Sequence, residues 1–90
     1  MKFYLVKTET CTKCRVLLPE FEKFADDNKD IECEVINYGS SDKDELVNQL
    51  GIQSVPSIIV EREDGNYQVY SNCLTRTSLD FILKTEKAGE

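Results

Sequence analysis

The 90-residue chain contains no histidine. That removes the usual general base at neutral pH, and with it any zinc finger that needs two imidazole ligands. Long apolar runs are missing too. Phe3–Val6, Ile58–Val60 and Phe81–Leu83 fall far short of the roughly 20 residues that span a bilayer. Basic residues are a minority: 11 Lys and Arg stand against 17 Asp and Glu, for a net charge of −6. A general nucleic-acid binder needs a basic footprint to neutralise phosphates, so that class is excluded. There are only 4 glycines and 2 prolines, and no repeat, linker or low-complexity tract divides the chain. Lys2 and Lys7 flank a short apolar run, whereas a secretory leader needs about 7–15 apolar residues. The segment reads as a strand, and a cytoplasmic location is expected. The 40% of hydrophobic residues suffices for one modest core, and the 31% of charged residues for a solvated outside, so residues 1–90 are expected to form a single domain.

Four cysteines are present: Cys11, Cys14, Cys33 and Cys73. An even count in a short chain permits two structural disulfides, but disulfide-dense domains are usually secreted. Only Cys11-Thr12-Lys13-Cys14 is a close pair. An all-cysteine zinc site commonly uses two such knuckles, and Cys33 and Cys73 stand far apart. No metal is expected. Cys-x-x-Cys on its own serves metal and redox sites alike, so its flanks decide.

Phe3–Val6 is apolar on both faces, as in a strand inside a sheet. From Cys14 the period changes: Leu17, Leu18, Phe21, Phe24 and Ala25 make one face of a helix, with a kink expected at Pro19. Ile31–Ile36 alternates, with Ile31, Cys33 and Val35 on one side, and reads as a strand that turns Cys33 inward as a small hydrophobe. Ser41 with Asp44 resembles a capping box for a helix to about Leu50, with Gly51 at its C′ position. Ser57–Glu61 is a strand, Asp64-Gly65-Asn66 a hairpin turn, and Tyr67–Tyr70 the antiparallel return. The charge run Glu61-Arg62-Glu63-Asp64 reads as a solvated turn. Thr77 with Asp80 caps a last helix carrying Leu79, Ile82 and Leu83 inward, and Lys84–Glu90 is expected to fray. The order is β-α-β-α-β-β-α. Its two βαβ-type links predict an α/β fold with a four-stranded mixed sheet and helices on both faces.

The cysteine pair therefore falls where a strand ends and a helix begins. Helix N-termini present free N–H groups and about half a positive charge, which stabilise a thiolate. Lys13 and Arg15 add cations nearby in sequence. Cys11 is the expected nucleophile. Cys14, one turn later, lies on the same face and within disulfide reach as the resolving thiol.

With these residues in view the chain resembles the thioredoxin superfamily. Three stretches carry the likeness: Cys11–Pro19, with the motif, a basic residue and a helix proline; Ile31–Asn37, a strand ending in a polar residue; and Leu50–Ser57, leading through Val55-Pro56 into a buried strand. The resemblance implies a thioredoxin-like fold and a reversible Cys11–Cys14 disulfide with no bound cofactor. It implies a cis bond before Pro56, with the Val55 backbone pairing to extended substrate. A substrate surface of Thr12, Lys13, Val55, Pro56 and Cys73 follows by the same likeness. The implied activity is thiol–disulfide exchange on protein disulfides, or electron donation to an enzyme such as ribonucleotide reductase. Glutathione or a thioredoxin reductase is the electron source, and the protein is expected to act as a monomer. Other readings are a glutathione-dependent glutaredoxin and a non-catalytic binding subunit.

The chain also departs from the family pattern. Thr10 replaces the usual Trp before the first cysteine, and Thr12-Lys13 the usual Gly-Pro. Phe3–Val6 lacks the buried acid of the first central strand, and the family's extra N-terminal strand and helix are missing. The Gly-Gly and Asp with which glutaredoxins hold glutathione are replaced by Ser71–Thr77, where Thr75 and Arg76 are left as contacts for a carboxylate. Cys73 falls beside the expected position of the cis-proline. It reads as a small residue in a tight loop, with a third redox thiol or a glutathionylation site as the alternative.

Overall fold

In the computed structural model, which describes residues 1–71 and 73–88, seven elements follow the expected order. They are β1 (Lys2–Lys7), α1 (Thr12–Asp27), β2 (Glu32–Asn37), α2 (Asp44–Gln49), β3 (Ser57–Glu61), β4 (Tyr67–Ser71) and α3 (Arg76–Ala88). The four strands form one sheet in the order β2-β1-β3-β4. β1 pairs parallel to β2 and antiparallel to β3, and β3 pairs antiparallel to β4.

β1 explains the two-layered core. Its residues alternate between faces because successive strand side chains point oppositely. Phe3 and Leu5 join Leu17, Phe21 and Phe24 of α1 and Leu79, Ile82 and Leu83 of α3 on one face. Tyr4 and Val6 join Ile36, Ile59 and Val47 of α2 on the other. Phe3 and Phe24 meet with ring centroids 5.1 Å apart. α1 stays helical through Pro19, and its buried face is Cys14, Leu17, Phe21 and Phe24.

Several expectations are corrected. The β2–α2–β3 link is not a parallel crossover, because β3 runs against β1 and does not neighbour β2. α2 begins at Asp44 rather than just after Ser41, with Lys43 as N-cap and no side-chain cap bond. The Asp44 carboxylate is drawn instead to the Gly39 N–H (3.1 and 3.0 Å), while the Ser41 hydroxyl accepts from the Lys43 N–H. The last helix is capped by Thr75, whose Oγ1 accepts from the Ser78 N–H at 3.2 Å. Thr77 lies inside the helix, and Asp80 pairs with Arg76. Val35 stands 38% exposed on the edge strand, and Ile36 takes the buried place on the opposite face.

Of the Lys84–Glu90 tail expected to fray, Lys84–Ala88 is helical, Gly89 and Glu90 lie outside the described residues, and Glu86 is only 4% exposed. Arg62 grips its carboxylate with Nε (2.8 Å) and Nη2 (3.1 Å), and the Tyr70 hydroxyl donates at 2.6 Å. Burying a carboxylate is tolerated when it is paired and hydrogen-bonded in this way. Arg62 thus ties the hairpin to α3 rather than standing free in a solvated turn.

Candidate active site

Strand register sets the site. Val6 of β1 pairs with Ser57 of β3, and Ser57 pairs with Ser71 of β4. β2 ends alongside, with Asn37 opposite Lys7. Cys11 and Cys73 therefore follow strands, Pro56 precedes one and Asn37 ends one, all at the same end of the sheet.

Thr8-Glu9-Thr10 turns the chain from β1 into α1, closed by the Cys11 N–H donating to the Thr8 carbonyl at 3.3 Å. Cys11 is the N-cap of α1 in extended conformation, and its Sγ accepts from the Cys14 N–H at 3.1 Å. A sulfur thus occupies the place where a Ser or Asp oxygen usually satisfies a free helix donor. No acidic residue lies in the first turn of the helix. Cys11 and Cys14 are joined as a disulfide across a Cα–Cα distance of 5.2 Å. Cys11 is partly exposed, whereas Cys14 is 1% exposed. Attack from solvent can reach the first sulfur and not the second. Thr12 and Lys13 are exposed at the same helix mouth.

The Val55–Pro56 peptide bond is cis. Pro56 is buried and Val55 half-buried against the second core. The Ser57 hydroxyl donates to the Ser54 carbonyl at 2.6 Å, closing the turn around this proline.

Cys73 reaches the same sheet end but enters the core, 3% exposed and part of the hydrophobic cluster that includes Leu17 and Leu79. Burial pushes its thiol pKa up, against hydrogen bonds from the Thr75 N–H and the Ser78 hydroxyl. Burial also pushes Cys33 up to about 11, and that residue packs partly against the same core. Among the described residues no three His, Cys, Asp or Glu side chains converge on a point where a metal would bind. No residue of β1 is a carboxylate, and Leu5 within it is fully buried. The one buried carboxylate among the described residues, Glu86, sits at the opposite end of the sheet beside a cavity of about 520 Å³ lined by Arg62 and Tyr70.

Three residues at the dithiol end went unrecognised in the sequence. Asn37 donates through Nδ2 to Glu9 Oε1 at 3.4 Å, and its buried Oδ1 has no partner among the described residues. Tyr38 stands 39% exposed beside it. The only available signal was the polar end of an apolar strand, Ile36-Asn37-Tyr38.

Thiol–disulfide exchange needs one attackable sulfur and a second close enough to release the product. Both are supplied here, and the site is that of a thiol–disulfide oxidoreductase. The thioredoxin sequence model matches residues 1–85, and the chain belongs to the thioredoxin family. Among solved structures it resembles thioredoxin O2 from Arabidopsis thaliana in the oxidised state. The two share 12% identity at a TM-score of 0.75, over 93% of this chain and 72% of that one. Thioredoxin 1 from Thermosipho africanus aligns with 21% identity and a TM-score of 0.68, over 97% of this chain and 99% of that one. The short form of spinach chloroplast thioredoxin f aligns with 23% identity and a TM-score of 0.73, over 97% and 73%. At these identities the structures speak to the fold. No curated protein sequence matches the chain. No helix among the described residues is long and apolar enough to cross a membrane.

Proposed function

We propose that this protein reduces disulfides in target proteins, with Cys11 as nucleophile and Cys14 as resolving thiol. The observation that carries the reading is the Cys11 sulfur at the N-cap of α1, bonded to a buried partner. In the reduced protein the helix end and the Cys14 N–H favour a thiolate at Cys11. That thiolate attacks one sulfur of the target disulfide, forms a mixed disulfide and expels the other target sulfur as thiolate. Cys14 then gives up its proton and attacks Cys11 Sγ. The intramolecular disulfide forms, and the second target sulfur leaves. Two electrons and two protons pass to the target in all. With Leu5 behind the motif, the Cys14 proton leaves to water or to the departing thiolate, without a carboxylate in β1.

The substrate lies along the Val55 backbone beside Pro56, with Thr12 and Lys13 bordering it. Cys73 supports the substrate loop from within the core. A donor dithiol restores the reduced pair, and a reductase protein fits that part better than glutathione. Arg76, a candidate for a glutathione carboxylate, is committed to Asp80 (2.9 Å) and Asp27 (2.8 Å), and Thr75 Oγ1 caps α3. No bound cofactor takes part. An enzyme that forms a disulfide at each turnover, such as a ribonucleotide reductase, is a fitting recipient, in the cytoplasm, with the protein acting as a monomer.

The test is reduction of insulin disulfides with dithiothreitol as electron source. Cys11→Ser should fall to the uncatalysed rate. Unchanged activity would refute the assignment.

A further inference from the structure

Two grooves flank Tyr38 at the dithiol end. One, about 200 Å³, is lined by Thr8, Tyr38, Ile52, Gln53, Ser54 and Val55 above Val6 and Val47. The other, about 240 Å³, is lined by Glu9, Thr10, Asn37, Tyr38, Gly39 and Ser40. The first borders the residue before the cis-proline and the second the residue before Cys11.

Their common wall is held firmly. The Tyr38 N–H donates to the Lys7 carbonyl at 2.8 Å, and its hydroxyl donates to Asn48 Oδ1 at 2.6 Å. The next residue, Gly39, has φ +102° and is anchored by the Asp44 carboxylate. Walls ordered before binding cost little entropy when a ligand arrives.

The chemistry of the grooves differs. Valine and isoleucine side chains floor the first, which suits an apolar side chain. The second is lined mostly by polar residues, and Glu9 is the only charged one among the described residues. Asn37, at the end of β2, donates through Nδ2 to Glu9 Oε1 at 3.4 Å, and both residues line the groove. No lysine or arginine lines either groove.

We propose that the groove beside Thr10 selects targets with a lysine or arginine next to the reactive cysteine. Glu9 is the specificity-determining residue and Asn37 positions it. The inference rests on the disulfide-reductase reading. It adds the class of target: a basic segment that crosses Tyr38 with an apolar side chain in the neighbouring groove.

The experiment compares two disulfide-bonded peptides that differ only in Lys or Glu beside the cysteine. Single-turnover reduction by the pre-reduced protein gives a rate constant for each. The Lys peptide should react about fivefold faster at low salt, as expected for one exposed charge pair gained against one repulsion. The preference should shrink as ionic strength rises, because screening weakens exposed pairs. Glu9→Lys should invert it, Glu9→Gln should remove it, and Asn37→Leu should weaken it. Equal rates in the wild type, or a preference that survives Glu9→Lys, overturn the inference while leaving the reductase reading intact. Reduction of neither peptide overturns both.

Discussion

The two ends of the sheet are built from the same strands and do opposite things. At the end where β1 leads into α1, polar groups stay partly open: the Cys11 sulfur, the Glu9 carboxylate and the Tyr38 ring. At the other end polar groups are consumed by one another. Glu86 is enclosed by Arg62 and Tyr70, and the Tyr4 hydroxyl donates to Glu61 at 3.0 Å. The hairpin itself is closed by the Arg62 N–H on the Asn66 carbonyl (2.8 Å), with Gly65 at φ +88° supplying the turn. The contrast teaches where reactivity comes from in so small a domain. One end is fastened so that the other can leave a sulfur without a permanent partner.

The sharpest way to break the contrast is at the open end. Cys14→Ser should stop turnover and leave target proteins attached to Cys11 as mixed disulfides, visible as added mass that a reductant removes. Failure to trap any target would mean that Cys14 does not resolve the intermediate.

At the fastened end, Glu86→Gln should cost about 2–3 kcal/mol, the scale of charge-assisted hydrogen bonds lost from a buried site. Exchange at the far end should continue wherever the variant stays folded. Hydrogen bonds from Arg62 hold the Glu86 carboxyl below its ordinary value of 4.5, against the opposing effect of burial. A depressed carboxylate contributes stability that is present above pH 4.5 and lost as the pH falls through the lower folded value. Denaturant midpoints measured from pH 7 to pH 3 should therefore fall less steeply in Glu86→Gln than in the wild type. Equal slopes would remove Glu86 from the account of acid stability.

A smaller change probes the boundary between the two regimes. Cys73 lies at the reactive end of the sheet but is enclosed like the groups at the other end. Cys73→Ala should cost about 1 kcal/mol from a small lost contact, with insulin reduction within about twofold of wild type. A large loss of activity at normal stability would return Cys73 to the chemistry.

Much of this was legible in the chain. Helix-period apolar residues from Cys14 marked α1, and Ser57–Glu61 is the observed β3 residue for residue. The Cys-x-x-Cys pair could be placed because its neighbours change period there. Sheet order was less accessible: β3 pairs antiparallel with β1 across more than fifty residues, and local alternation carries no information about a distant partner. Caps were misplaced where several candidates crowd together. Thr75, Thr77 and Ser78 all have hydroxyls, and only the observed helix start selects Thr75. Glu86 was missed although its spacing pointed inward, seven residues after Leu79 and three after Leu83. A charged residue near a chain end reads as solvated until its distant Arg62 is found. Asn37 and Glu9 escaped for the same reason, since their contact joins the end of β2 to the turn after β1, 28 residues apart in sequence.

The most direct measurement is the pH dependence of alkylation of the reduced protein, with each cysteine followed by mass. Cys11 should react first, with a midpoint below the ordinary thiol value of about 8.5, while Cys14 stays protected. A Cys11 midpoint at or above that value, or faster labelling of Cys14, would contradict the claim that an open sulfur at the helix mouth drives the exchange.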